Sequence, residues 1–148
     1  MTVSRIVIML RIAIGLIFLV AAIGKLNDPA KFLSAVYGYE LVGPTTGLLT
    51  AITLPALEAV IGALLVTGTW RFSASLAATT LAVLFVVAQA MAISNGVRAD
   101  CGCVALFGPS ALSQATLGRA VLLLSVCVSL VLLELRAELN ASSGRSAA

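Results

Sequence analysis

Four long apolar stretches, about 6–23, 45–68, 72–94 and 115–135, leave this chain few places to put a water-facing surface. Wound as helices at about 1.5 Å of rise per residue, each reaches across the hydrocarbon of a bilayer. A soluble domain needs roughly a quarter of its residues charged to cover itself. Here only 10% are charged and 61% are hydrophobic, so lipid is the expected solvent. The predicted fold is all-α, an integral membrane four-helix bundle. It forms a single transmembrane domain over residues 1–136, with no room for a soluble module, followed by a polar C-terminal tail (137–148) expected to be disordered.

The connections between spans are legible. Ile6 to Ile23 follows Arg5, and Val20-Ala21-Ala22 has the small residues of a signal cleavage site, but a signal core rarely tolerates a charge such as Arg11. The stretch is therefore read as a retained first span. Gly24 to Pro29 ends it and starts a new helix, with Asp28 as N-cap and Pro29 in the first turn. Phe32, Leu33, Val36 and Tyr37 share one face of that helix, which predicts a short interfacial element between spans 1 and 2. Pro55 falls inside span 2 and deprives the Ala51 carbonyl of its helical donor, predicting a kink. Trp70 and Arg71 mark a tight connection at the membrane surface. Small residues (Ser73, Ala74, Ala77, Ala78, Ala82) suit span 3 to close helix contact. There is no internal repeat of broken helices, which makes a transporter the least supported reading.

Charge narrows the function. The net charge of +3 is spread along the chain, which suits a protein bordering anionic lipid and gives no footprint for nucleic acid. Histidine is absent, so proton chemistry must use carboxylates, thiols or a second substrate. Arg11 in span 1 and Glu58 in span 2 are expensive in a bilayer and are expected to pair, either fixing helix packing or making Glu58 a proton carrier or a contact for a quinone headgroup. Four spans place both termini on one side. A weak excess of Arg5, Arg71, Arg136 and Arg145 over the basic residues opposite predicts that side to be cytoplasmic. Lys25, Gln89 and Arg119 then belong near the outer leaflet, at the level of the loop between spans 3 and 4.

That loop holds the most reactive group in the chain, Asp100-Cys101-Gly102-Cys103. A disulfide between Cys101 and Cys103 would close a very small ring, strained and therefore labile, which reads as a redox switch in a compartment where disulfides persist. Arg98 and Arg119 favour a thiolate there, whereas Asp100 opposes one. Two unpaired loop thiols are the bland alternative. Closely spaced thiols also take soft ions such as Cu(I) or Zn(II), with Asp100 as a further donor, although without histidine the zinc set is incomplete. Cys127, well inside span 4, reads as a small apolar side chain.

In order, Arg11, Gly24-Lys25 with Asp28-Pro29, Pro55 with Glu58, Asp100-Cys101-Gly102-Cys103 followed by Phe107-Gly108-Pro109, and Arg119 at the start of the last helix resemble the MauE branch of the DoxX-like membrane proteins. The helix motifs are individually weak, and the Cys-Gly-Cys with Phe-Gly-Pro is the specific part. The family pattern runs Cys-Gly-Cys-Phe-Gly, whereas here Val104-Ala105-Leu106 intervenes and leaves the thiols in place. The resemblance implies a four-helix bundle engaged in redox work. MauE is linked to maturation of the disulfide-rich small subunit of methylamine dehydrogenase together with a thioredoxin-like partner, and wider DoxX-like proteins to quinone-coupled oxidation and membrane oxidoreductase complexes. Carried over, Cys101 and Cys103 become the redox pair, and Arg11, Lys25, Glu58 and Arg119 the family's polar positions.

The expected function is thus a membrane thiol–disulfide component. Its loop thiols exchange with an extracytoplasmic thioredoxin-like protein, with quinone as the candidate membrane carrier of electrons. The alternatives are a non-catalytic assembly subunit of a larger membrane oxidoreductase complex, in which the cysteines are spectators, and a soft-metal-binding membrane protein.

Overall fold

A computed structural model of the chain describes residues 2–39, 43–96 and 114–146. They form five helices: α1 (Thr2–Asn27), α2 (Pro29–Gly38), α3 (Pro44–Thr67), α4 (Arg71–Ser94) and α5 (Gln114–Ser146). Four are long and apolar enough to cross a membrane, through segments Arg5–Asn27, Pro44–Thr67, Arg71–Ser94 and Thr116–Ala137. The protein is an all-α, multi-pass membrane bundle. Its exterior is what lipid requires: Leu16, Ile52, Leu84 and Leu122 are each at least half exposed, whereas an aqueous surface would bury such side chains.

The chain turns where its local chemistry dictates. Asp28 caps α2, its carboxylate accepting from the Lys31 backbone N–H at 3.0 Å, and Pro29 occupies the first turn where a missing N–H costs nothing. Phe32 is the buried residue of α2 and Tyr37 stays exposed, its hydroxyl donating to the Pro44 carbonyl at 3.0 Å. α3 begins in the same way, with Gly43 extended and Pro44 following, and it continues through Pro55. It ends at Gly68, whose left-handed φ of 74° suits a residue without Cβ. Trp70 shares that left-handed conformation (φ 47°) and stands 78% exposed in the short link between two spans, where an amphipathic ring suits a membrane–water boundary.

Two boundaries differ from the sequence reading. Gly24 does not end the first helix. α1 runs on to Asn27, because its next break in pattern is the Asp28 cap, and Lys25 is thereby placed on the helix's inner face. The polar tail continues helically to Ser146, since nothing between Arg136 and Ser146 is a proline.

α1 packs chiefly against α3 and α5 chiefly against α4, with α2 lying against α3 and α1. The buried residues of α1, namely Arg11, Ile14, Gly15, Phe18, Ala21, Ala22 and Lys25, follow the i, i+3, i+4, i+7 pattern of one helix face. Opposite them stand Ile61, Gly62 and Leu65 of α3, and the core is completed by Ala74, Ala78, Leu81 and Ala82 of α4 with Cys127 and Leu130 of α5. Cys127 is a free thiol in that core, filling space as a small apolar side chain. Backbones come closest where Gly15 crosses Gly62. A Cβ on Gly62 would stand 2.8 Å from the Gly15 carbonyl oxygen, and one on Gly15 would stand 2.9 Å from that of Gly62. Paired glycines allow such approach in lipid, where dispersion rather than hydrophobic burial holds helices together.

Gly62→Val is therefore expected to lower stability by about 1–3 kcal/mol through overpacking, read as earlier thermal unfolding in detergent micelles. Gly118→Ala, where an added Cβ meets nothing within 4 Å, should leave the transition unchanged or slightly later.

Candidate functional site

The buried polar centre of the bundle is an ion pair between Lys25 of α1 and Glu58 of α3. The Lys25 Nζ donates to Glu58 Oε1, and the two side chains are 3% and 1% exposed. Helix direction explains the meeting. Side chains lean toward the N-terminus of their own helix, so on antiparallel neighbours Lys25 leans into the membrane and Glu58 leans out toward it. Above the ammonium lie two aromatic faces, the Phe32 ring with its centroid 5.3 Å from Nζ and the Phe85 ring at 5.0 Å. A cation over a ring face is attracted by its quadrupole, more strongly when desolvated. Gln89, one turn beyond Phe85 on α4, is also buried, as is Pro55 one turn before Glu58. Glu58 Oε2 is buried and accepts no hydrogen bond among the described residues.

The expected pairing of Arg11 with Glu58 is not formed. With Gly15 set against Gly62, Arg11 lies level with the last turn of α3, about 12 Å of helix rise from Glu58, and leans further away. Its guanidinium rests against Gly68, where a Cβ would come within 2.6 Å of Nη2. That places a permanent positive charge at the carboxyl end of α3, where the helix dipole is negative. Counting residues from the membrane surface gives depth, but only the lean of each side chain says which way it reaches.

Sequence reasoning missed two buried polar residues at the Arg11 end, Ser75 and Glu134. Ser75 Oγ, Arg11 Nε and both Glu134 carboxylate oxygens have no hydrogen-bond partner among the described residues. Glu134 was detectable. It lies four residues after Leu130 and seven after Cys127, on the face of α5 that both turn to the core. Lys25 was detectable by the same count, fourteen residues from Arg11 and seven from Phe18.

Of the other predicted site residues, Arg119 lies in the second turn of α5 and is exposed. Asp100, Cys101 and Cys103, together with Arg98, fall outside the described residues. The helix ends that their segment joins, Ser94 of α4 and Gln114 of α5, are described.

Breaking one partner of a buried pair strands the other charge, a loss of about 3–5 kcal/mol, whereas replacing both with apolar side chains is close to neutral. Lys25→Met and Glu58→Met are each expected to destabilise strongly in detergent unfolding, and the double variant to recover most of the loss. Additive losses in that cycle would contradict the coupling.

The chain matches the family model described as methylamine utilisation protein MauE over residues 3–133. It is also 32% identical over 95 residues to the methylamine utilization protein MauE of Paracoccus denitrificans, an alignment that takes in 64% of this chain and 51% of that relative. The chain thus spans about half the length of the curated relative it matches. No solved structure matches it. With the match taking in three spans whole, most of the fourth and both members of the Lys25–Glu58 pair, this membrane protein belongs to the MauE family.

Proposed function

We propose that the protein serves methylamine utilisation as a membrane thiol–disulfide redox component, with Cys101 and Cys103 as its exchanging pair. In the forward exchange, a thiolate of a thioredoxin-like partner attacks one sulfur of the Cys101–Cys103 disulfide. The intramolecular S–S bond breaks, an intermolecular one forms, and one thiolate leaves. The partner's second thiolate then attacks the mixed disulfide, so the partner departs oxidised and Cys101 and Cys103 remain as two reduced sulfurs, protonated on release. The reverse sequence reduces the partner, and relative potentials set the direction. Reoxidation of the pair passes two electrons to a membrane carrier, for which quinone is the candidate.

The observation that carries this reading is the placement of two thiols, one residue apart, in the segment joining α4 to α5. In an antiparallel bundle the close of α4 and the start of α5, which that segment joins, lie at the same end as the close of α1 and the Asp28 cap of α2. We place that end outside the cytoplasm and both termini inside, where disulfide exchange with a secreted partner is sustained.

A membrane-impermeant maleimide applied to intact cells is expected to label Cys101 and Cys103 only after reduction, while buried Cys127 stays unlabelled. Replacing Cys101 or Cys103 singly with serine should leave one thiol that accumulates a mixed disulfide with the partner, visible as a reducible mass shift. The double serine variant should show none. Partner redox cycling unchanged in the double variant would overturn the proposal and leave an assembly role.

A further inference from the structure

Three buried polar side chains take no part in the thiol exchange or in the Lys25–Glu58 pair, and they lie in one layer at the end where α1 starts. Arg11 of α1, Ser75 of α4 and Glu134 of α5 are 7%, 1% and 7% exposed. Arg11 Nε, Ser75 Oγ and both Glu134 carboxylate oxygens have no hydrogen-bond partner among the described residues. One core cluster fixes their level. Ile14 stands one turn after Arg11, Ala74 adjoins Ser75 and Leu130 stands one turn before Glu134, and all three belong with Leu65 to the same buried cluster. A guanidinium and a carboxylate so placed would be expected to meet as an ion pair, since either one left uncompensated out of water costs several kcal/mol. They do not meet. Arg11 is drawn off against Gly68 at the end of α3, while Glu134 leans back along α5 into the bundle.

Each feature restricts what would join them. A carboxylate with both oxygens open suits a group with several N–H donors, such as a primary ammonium. A guanidinium with Nε open, in the same layer as a serine hydroxyl, suits phosphate oxygens, which its fork geometry matches. One cation and one anion sum to zero, which favours a ligand carrying both signs over a simple anion or a metal ion. Water offers only dipoles where two full charges need compensation. Depth restricts the source. By helix rise, Glu134 lies about 5 Å, Ser75 about 6 Å and Arg11 about 9 Å inside the ends of their spans at Ala137, Arg71 and Arg5. That is the headgroup–acyl boundary of a leaflet, on the order of 5–10 Å deep. Because α1 packs chiefly against α3 and α5 chiefly against α4, the seam between α1 and α5 is the looser one, and no turn ties those two helices.

We infer that Arg11, Ser75 and Glu134 form a binding site for the zwitterionic headgroup of an aminophospholipid. The Arg11 guanidinium and the Ser75 hydroxyl donate to phosphate oxygens, and Glu134 accepts from the ammonium. The headgroup enters along the seam between α1 and α5. Once bound, it ties those two helices together and closes the ring of four spans at the end where α3 turns into α4.

The test places the full chain in nanodiscs of equal parts phosphatidylethanolamine, phosphatidylcholine and phosphatidylglycerol with matched acyl chains. Native mass spectrometry after transfer to mild detergent then counts the lipids retained. Phosphatidylethanolamine is expected to be retained about threefold or more over phosphatidylcholine, whose trimethylated nitrogen offers Glu134 no N–H. Retention led by phosphatidylglycerol would trace binding to the exposed Arg5, Arg71 and Arg136, and equal retention of all three would leave water as the occupant. Either result overturns the site. Dicyclohexylcarbodiimide, which joins a carboxyl to an adjacent primary amine, should attach phosphatidylethanolamine to the tryptic peptide 120–136, whose one acidic side chain is Glu134. That arm decides without any variant, and a peptide free of adduct would count against the site. The double Arg11→Met, Glu134→Met variant leaves no stranded charge, so it should fold and lose the preference. A preference kept by the folded double variant would overturn the assignment. Millimolar phosphoethanolamine in the buffer should leave the lipid in place. Full displacement would overturn the lipid assignment in favour of a soluble zwitterion.

Discussion

A carboxylate and an ammonium held out of water at mid-bundle set the terms for the rest of this molecule. Neither Lys25 nor Glu58 is tolerable in hydrocarbon alone, and their attraction offsets the cost of desolvation only if the helices that carry them are kept in one register. The Gly15–Gly62 crossing supplies that register, because two backbones in contact cannot slide past each other without their neighbours colliding. Alanines along α4 then let the second helix pair close over the first. The apolar core sets small alanines of α4 against larger side chains of α1, α3 and α5, and the polar contacts help decide which helix faces which.

The bundle has a polar end at Arg11 and a polar pair at its middle, with a dry layer between them. Ile14 and Leu65 are almost wholly buried between the Arg11 end and the Lys25–Glu58 pair. One end, with Arg11 against the α3 terminus and Glu134 and Ser75 nearby in the chain's folding pattern, is closed by a tight turn. The other is joined by α2 and by the segment bearing Cys101 and Cys103.

Much of this was legible beforehand. Hydropathy over runs of some twenty residues identifies spans because the bilayer imposes a length and forbids unpaired backbone, so the four crossing helices were readable from composition alone. Asp28-Pro29 was equally readable, since capping is local chemistry. The partner of Glu58 was not. Arg11 and Lys25 are both cations on the same face of α1, and the choice between them depends on where α1 crosses α3, which is set by two glycines with no side chain to advertise a contact. Ser75 was hidden for a related reason, as one small hydroxyl among the small residues of its span, whereas Glu134 was within reach once the face through Cys127 and Leu130 is drawn. Cys101 and Cys103 fall outside the described residues, so their reading rests on the sequence.

The separation of Lys25 from Glu58 along the chain, 33 residues, also has a consequence during synthesis. At roughly 5–20 residues per second, a few seconds pass between the emergence of one charge and the other. In that interval α1 carries both Arg11 and Lys25 without a counter-charge, each costing about 2.5–3.5 kcal/mol at a helix centre on the insertion scale. Its strongly apolar remainder can keep it at the membrane, but α1 reaches its lowest-energy position only once α3 arrives. The first and third helices are thus obliged to settle in the bilayer as partners, and the amphipathic α2 between them serves as the tether that keeps the waiting helix beside the one it needs.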